Sequence, residues 1–195
     1  MTIEIQWGIP KDQYLRTARI IYESFEHKFR YTLGPREKAI AFIGSRMNDK
    51  YALVALKEGK VIGIAGAKTI EGELIQSNLI QWLRTYHLCA LRTFVVALPF
   101  LLRRKQKDVF ELIYLSVTNE ARGHGIGTRI VKEFIRYAKS EGFLCVLLEV
   151  IDENVRAKTL YERLGFKTVK HEKVPRPWSV LLGLTGVSQM FFPLI

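Results

Sequence analysis

Cysteine, histidine and acid are all scarce in this chain, and each scarcity excludes something. The only cysteines are Cys89 and Cys145, both in apolar surroundings and neither in a CxxC or a Cys/His cluster. A disulfide framework and a thiolate metal site are therefore excluded, and both thiols read as buried and free, as in a reducing compartment. The four histidines, His27, His87, His124 and His171, are scattered without ligand spacing, so no metal is expected. There is no long apolar run. The longest central one, "TFVVALPFLL", is far short of the roughly 20 residues that span a bilayer. The opening "MTIEIQWGIPKD" has no basic n-region and no long apolar core, so it does not read as a secretion signal, and a cytoplasmic location is expected. No GxSxG elbow and no credible Cys/His pair occur. Chemistry through an acyl-enzyme is accordingly not expected.

Acid is outnumbered: 19 Asp and Glu face 30 Lys and Arg, for a formal charge of +11. Such a chain attracts anions, whether nucleic acid, acidic membrane or phosphorylated ligand. The basic residues are spread along the chain with no nucleic-acid reading motif, so nucleic acid is not the expected partner. What is abundant is apolar residues, 48% of 195, enough for one domain over residues 1–195 with a substantial core.

The pattern along the chain is α/β. "TIEIQW" alternates as a strand, and Pro10 opens a helix expected to run to about Phe29, with a second helix starting at Pro35. "YALVAL", the turn "KEGK" and "VIGIAGAKTI" predict a hairpin. "VFELIYLSV" is a strand, followed by a glycine-rich loop and a helix to Ser140 with Ile126, Ile130, Phe134 and Ala138 on one face. "FLCVLLEVI" is nearly all apolar and predicts a central strand buried on both faces. A short helix over Asn154–Leu164 carries Ala157, Leu160, Tyr161 and Leu164 along one stripe, and "GFKTVKHEKV" and "QMFFPLI" supply the last strands. Residues 71–108 interrupt this order. They read as a helical insertion, with six basic residues and no acid between Arg84 and Lys107.

The loop "EARGHGIG" is the main carrier of chemistry. Gly123, Gly125 and Gly127 let the backbone approach a ligand and adopt positive φ. At a strand-to-helix turn the first free N–H groups and the positive end of the helix dipole face outward, which suits a diphosphate, with Arg122 beside it. A tight structural turn stays open on the octapeptide alone. A nucleoside triphosphatase loop is excluded because no Lys-Ser/Thr pair follows, and the GxGxG spacing so late in the chain makes a dinucleotide fingerprint weak.

Together with the downstream "LLEVIDENVRAKTLYERLGF", the stretch "LSVTNEARGHGIGTRIVKEFIRYAKSEG" resembles the GNAT superfamily of acyl-CoA-dependent N-acyltransferases over residues 112–167. The resemblance implies an α+β sandwich with a mixed, mostly antiparallel central sheet, splayed central strands and helices on both faces. It implies that acetyl-CoA is held by the main chain of Leu115 and Val117 and by the loop residues Arg122, Gly123, His124, Gly125, Ile126, Gly127 and Thr128. Asn154 matches the asparagine that contacts the cofactor arm, and Arg156 and Lys158 stand within reach of the terminal phosphate, with a solvated helix face as their other reading. Tyr161 matches the tyrosine that protonates the leaving thiolate, with core packing as its other reading. Glu149, the only charge in its strand, is the candidate base, with Glu111, Glu23 and Glu26 as alternatives. The implied activity is direct transfer of an acetyl group to a primary amine, on a small molecule or a peptide, through a tetrahedral intermediate. A non-catalytic acyl-CoA-binding or protein-interaction module on the same fold is the alternative. The 71–108 insertion has three readings: an acceptor-pocket wall, a peripheral membrane contact, or a dimer contact, so monomer and homodimer both stand open.

Overall fold

The computed structural model describes residues 3–26, 29–30, 33–76, 106–176, 179–180 and 183–194. Their centre is a seven-stranded sheet in the order β1-β2-β3-β4-β5-β7-β6, built from β1 (Ile3–Trp7), β2 (Ala52–Lys57), β3 (Lys60–Lys68), β4 (Val109–Val117), β5 (Cys145–Ile151), β6 (Lys167–Lys173) and β7 (Gly186–Pro193). Only β4 and β5 pair in parallel, and the other neighbours are antiparallel. The helices are α1 (Tyr14–Ser24), α2 (Arg36–Gly44), α3 (Ile126–Ser140) and α4 (Val155–Arg163).

The sheet has a core on each face. On one, Ala18 and Ile21 of α1 and Ile40 and Ile43 of α2 pack on Val54, Val61 and Ile64. On the other, Ile130 and Phe134 of α3 pack on Leu53, Ala65, Val146 and Leu148. The expected stripe of α3 is buried in full, with Val131 added. Each such side chain removed from water stabilises the fold by roughly 1.5–3 kcal/mol. Gly63 of β3 lets α3 come close: a Cβ there would lie 2.9 Å from Ile130 Cδ1. β6 is exposed throughout, an edge strand whose lysines discourage further strand pairing.

Three sequence expectations are corrected. The helical stretch expected to run to about Phe29 is broken after Ser24, because Phe25 leaves helical backbone (φ −123°, ψ 27°) and sets its ring edge-on to Tyr114 at 5.3 Å, and helical backbone returns at Glu26 and at Phe29–Arg30. β5 is buried on one face only: Val146, Leu148 and Val150 are covered by α3 and α4, whereas Leu147, Glu149 and Ile151 are half-buried. The start of the expected helical insertion is extended instead. Residues after β3 turn sharply at Thr69–Gly72 and pair back, Glu73 bridging to Lys68 and Ile75 to Met47, with Leu74 wholly buried. Leu74 is the reason: its side chain fills the space over Gly66, where a Cβ would lie 2.7 Å from Leu74 Cδ2. Residues 77–105 of that insertion, and Cys89 with them, lie outside the described residues.

Candidate active site

The site begins with a bulge. Gly66 faces Tyr114 across β3 and β4, but Ala67 faces Leu112, so Ile113 is an extra residue. The insertion reverses the facing of everything beyond it. Phe110 and Leu112 point to the α3 side, Ile113 and Tyr114 to the α1 side, and Leu115 and Val117 again to the α3 side. Pairing of β4 with β5 stops at the same place, with Leu112↔Leu148 as its last rung. β4 nevertheless stays paired with β3 to Val117, and β5 with β7 to Ile151. A gap therefore opens between residues 113–117 and the end of β5. Its β4 side keeps main-chain polar groups unused by the sheet, the expected position of Leu115 and Val117 toward an amide-bearing ligand arm.

The glycine loop lies at the open end of this gap. Gly123 (φ 80°) and Gly125 (φ 74°) are both left-handed, and a Cβ at either would meet nothing within 4 Å. The glycines are therefore required by conformation and not by crowding. Gly125 caps α3 with no side-chain hydrogen bond, and the first turn holds no acid. The N–H groups of Ile126, Gly127 and Thr128 are thus left at the positive end of the helix with no side chain to answer them. His124 is exposed and its Nδ1 lies 2.9 Å from the Arg122 carbonyl, while Arg122 Nε donates to the Val117 carbonyl at 3.1 Å. Arg122 thereby ties the loop to the end of β4. A groove of about 320 Å³ beside the loop, lined by Arg16 and Arg19 of α1 with Thr118, Asn119 and Glu120, was not legible in the sequence.

α4 supplies the other wall. Tyr161 is its one buried residue, packed edge-on to Phe166 at 5.7 Å. Burial pushes its phenol well above the ordinary tyrosine range, and the hydroxyl has no hydrogen-bond partner among the described residues. Asn154 caps α4, its Oδ1 accepting from the Ala157 N–H at 3.2 Å. Lys158 is turned inward, Nζ donating to the Oγ of buried Ser188 on β7 at 3.4 Å. Both residues therefore have a local structural task beside any ligand role. Burial raises the Cys145 thiol, which removes it as a thiolate nucleophile.

The family of acetyltransferases described as the GNAT family matches residues 14–166. The chain belongs to the GNAT acetyltransferase family. Human N-acetyltransferase 8B is 38% identical over 66 residues, which is 34% of this chain and 28% of that protein. The match covers 28% to 42% of the length of this and two further N-acetyltransferases, so the chain spans less than half of these curated relatives. An N-acetyltransferase from Staphylococcus aureus shares the fold with a TM-score of 0.68 at 16% identity, over 97% of this chain and 100% of the other. The ribosomal-protein-S18-alanine N-acetyltransferase from Escherichia coli does so with 0.56 at 18%, over 99% and 94%.

Of the residues expected to hold the donor, Val117 is tied by its carbonyl to Arg122, from which the loop runs on to Thr128. The acids expected on the acceptor side do not all gather with them. Glu111 and Glu149 share the face of the sheet opposite α3, Glu111 on the rung before the last and Glu149 just past it. Glu23 pairs with Arg36 at 2.6 Å and lines the groove beside Thr118–Glu120, and Glu26 is exposed just after α1. One residue escaped the sequence reading altogether. Lys68, at the end of β3, is 7% exposed, with Nζ 3.6 Å from Glu111 Oε2. A lysine closing a strand is indistinguishable in sequence from an exposed one, since its burial depends on partners elsewhere in the chain, Glu73 bridging to it among them. No group of His, Cys, Asp and Glu suited to a metal occurs among the described residues, and none of their helices is long and apolar enough to cross a membrane.

Proposed function

We propose that this chain is a single N-acetyltransferase domain that moves an acetyl group from acetyl-CoA directly to a primary amine. The observation that carries the reading is the opening of β4 from β5 beside a glycine-capped helix start with no side-chain cap. The residues fit the donor: the main-chain groups of Leu115 and the Val117 N–H, unused by β5, suit an amide-bearing arm, and the amides from Gly123 to Thr128 suit its diphosphate, the Arg122 amide being spent on the Asn119 carbonyl. Asn154 keeps its amide nitrogen for the arm. Lys158 reaches a terminal phosphate only by releasing Ser188.

Donor and acceptor meet in the gap. Glu149, assisted by water, takes a proton from the acceptor's ammonium. The freed amine nitrogen attacks the thioester carbonyl, a tetrahedral intermediate forms, and the nitrogen sheds its second proton to solvent. The C–S bond then breaks, and Tyr161 gives its proton to the departing thiolate. The raised phenol stays protonated across the neutral range and so remains a donor.

Free-thiol release from acetyl-CoA across a panel of small amines and peptides tests the proposal. Amine-dependent release supports it. Donor binding without release for every amine favours the non-catalytic module instead.

A further inference from the structure

Lys68 is a buried ammonium flanked by acids across three strands. In the ladder it faces Glu111 on β4 and Glu73 on the returning segment. Residues opposite one another on neighbouring strands present their side chains to the same face. That face is the one shared by Tyr114 and by Glu149, away from α3. Tyr114 closes the cluster, its phenol raised by burial and further by the charge of Glu73. A lysine this buried is rare unless paired, because an ammonium leaving water needs its charge answered.

The pairing uses only half of Glu111. Oε2 lies 3.6 Å from Lys68 Nζ, while Oε1 has no partner among the described residues, and the side chain is 19% exposed. Glu111 sits one residue before the last rung joining β4 to β5. Below the gap, then, stands a carboxylate held from behind by a buried cation, with one oxygen still to be satisfied. The remaining carboxylate oxygen of Glu111 suits an incoming ammonium and disfavours an anionic acceptor.

We infer that Glu111 anchors the acceptor's ammonium group before it reacts, and that Lys68 is the positioning residue that holds Glu111 in place. The inference rests on the acetyltransferase reading above. It assigns Glu111 to acceptor binding, apart from the proton transfer given to Glu149. Lys68 acts through Glu111 and touches neither substrate.

The test is steady-state kinetics with a turned-over amine, together with acetyl-CoA binding by calorimetry, on Lys68→Met, Lys68→Arg, Glu111→Gln and the double variant Lys68→Met/Glu111→Gln. Lys68→Met and Glu111→Gln are each expected to raise acceptor KM about tenfold or more. Changes in kcat should stay below about threefold and in acetyl-CoA Kd below about twofold. Lys68→Arg should recover most of the lost affinity, and the double variant should be no worse than the weaker single one. Unchanged acceptor KM in soluble Lys68→Met overturns the inference, as does additivity in the double variant. Should Lys68→Met not fold, Glu73→Gln and Glu111→Gln decide: Glu73→Gln leaves Glu111 held and should keep acceptor KM within about twofold, and a tenfold rise there overturns it. Glu111→Gln that lowers kcat at unchanged KM overturns it too, since that is the signature of the base. If the unaltered chain turns over no amine while binding acetyl-CoA, the acetyltransferase reading falls and this inference with it. Any failure confined to the variants leaves that reading standing.

Discussion

The two sides of the opened sheet are built in different ways. On the proposed donor side the groups are main chain: the edge of Leu115–Val117 that β5 leaves and the amides at the start of α3. Their placement follows from left-handed glycines and a bulge, features that tolerate change in nearly every surrounding side chain. On the proposed acceptor side the groups are the side chains of Glu111 and Glu149, with Lys68 paired to Glu111. A site made of backbone is general for one ligand, whereas a site made of side chains can be retuned for many. The comparison predicts a separation. Variants on the donor side should change donor affinity for every amine alike, and variants on the acceptor side should change amine preference at constant donor affinity.

The largest effect is expected where the two sides meet. Tyr161→Phe should lower kcat by about two to three orders of magnitude, the usual range for a lost general acid, with acetyl-CoA Kd within about twofold by calorimetry. Retained turnover would return Tyr161 to a packing role against Phe166. Glu149→Gln should cost about two orders of magnitude in kcat at neutral pH, again at constant donor affinity, as read from thiol release. If the loss appears in donor Kd instead, Glu149 belongs to the other side of the gap.

Legibility follows the same division. "RGHGIG" and "LYERLGF" were readable because glycine at positive φ and an apolar helical stripe leave local marks, and Gly123, Gly125 and Tyr161 stand where those marks implied. Glu149 was singled out for being charged in an apolar strand. Lys68 could not be, because its burial depends on partners elsewhere in the chain, Glu73 bridging to it among them. The end of α1 at Ser24 was missed for a similar reason: the helical period continues to Phe29, and only the contact of Phe25 with Tyr114 marks the break.

A donor-side test comes next in size. Gly125→Val places a β-branched residue at φ 74° with no clash, so its cost is conformational, on the order of 1–3 kcal/mol. Acetyl-CoA Kd should rise about tenfold, with amine preference unchanged across the panel. A shift in preference would break the proposed separation. The smallest effect lies outside both halves. At Gly186 a Cβ would fall 2.3 Å from Asp152 Oδ2 and 2.8 Å from His171 Nε2, which are hydrogen-bond partners at 2.9 Å. Gly186→Ala must part that pair, and a loss of about 1–2 kcal/mol in urea unfolding is expected with donor and acceptor constants unmoved.

The sequence alone determined what is local. Strand alternation, helical stripes and the glycine spacing set the order of elements and the donor loop, because each depends on residues a few positions apart. Tertiary structure decided what depends on distant partners: the bulge at Ile113 that parts β4 from β5, the partial burial of one face of β5, and the seating of Lys68 between Glu73 and Glu111. Which strand neighbours which is a matter of register over the whole sheet, and a charge becomes buried only when residues far along the chain close over it.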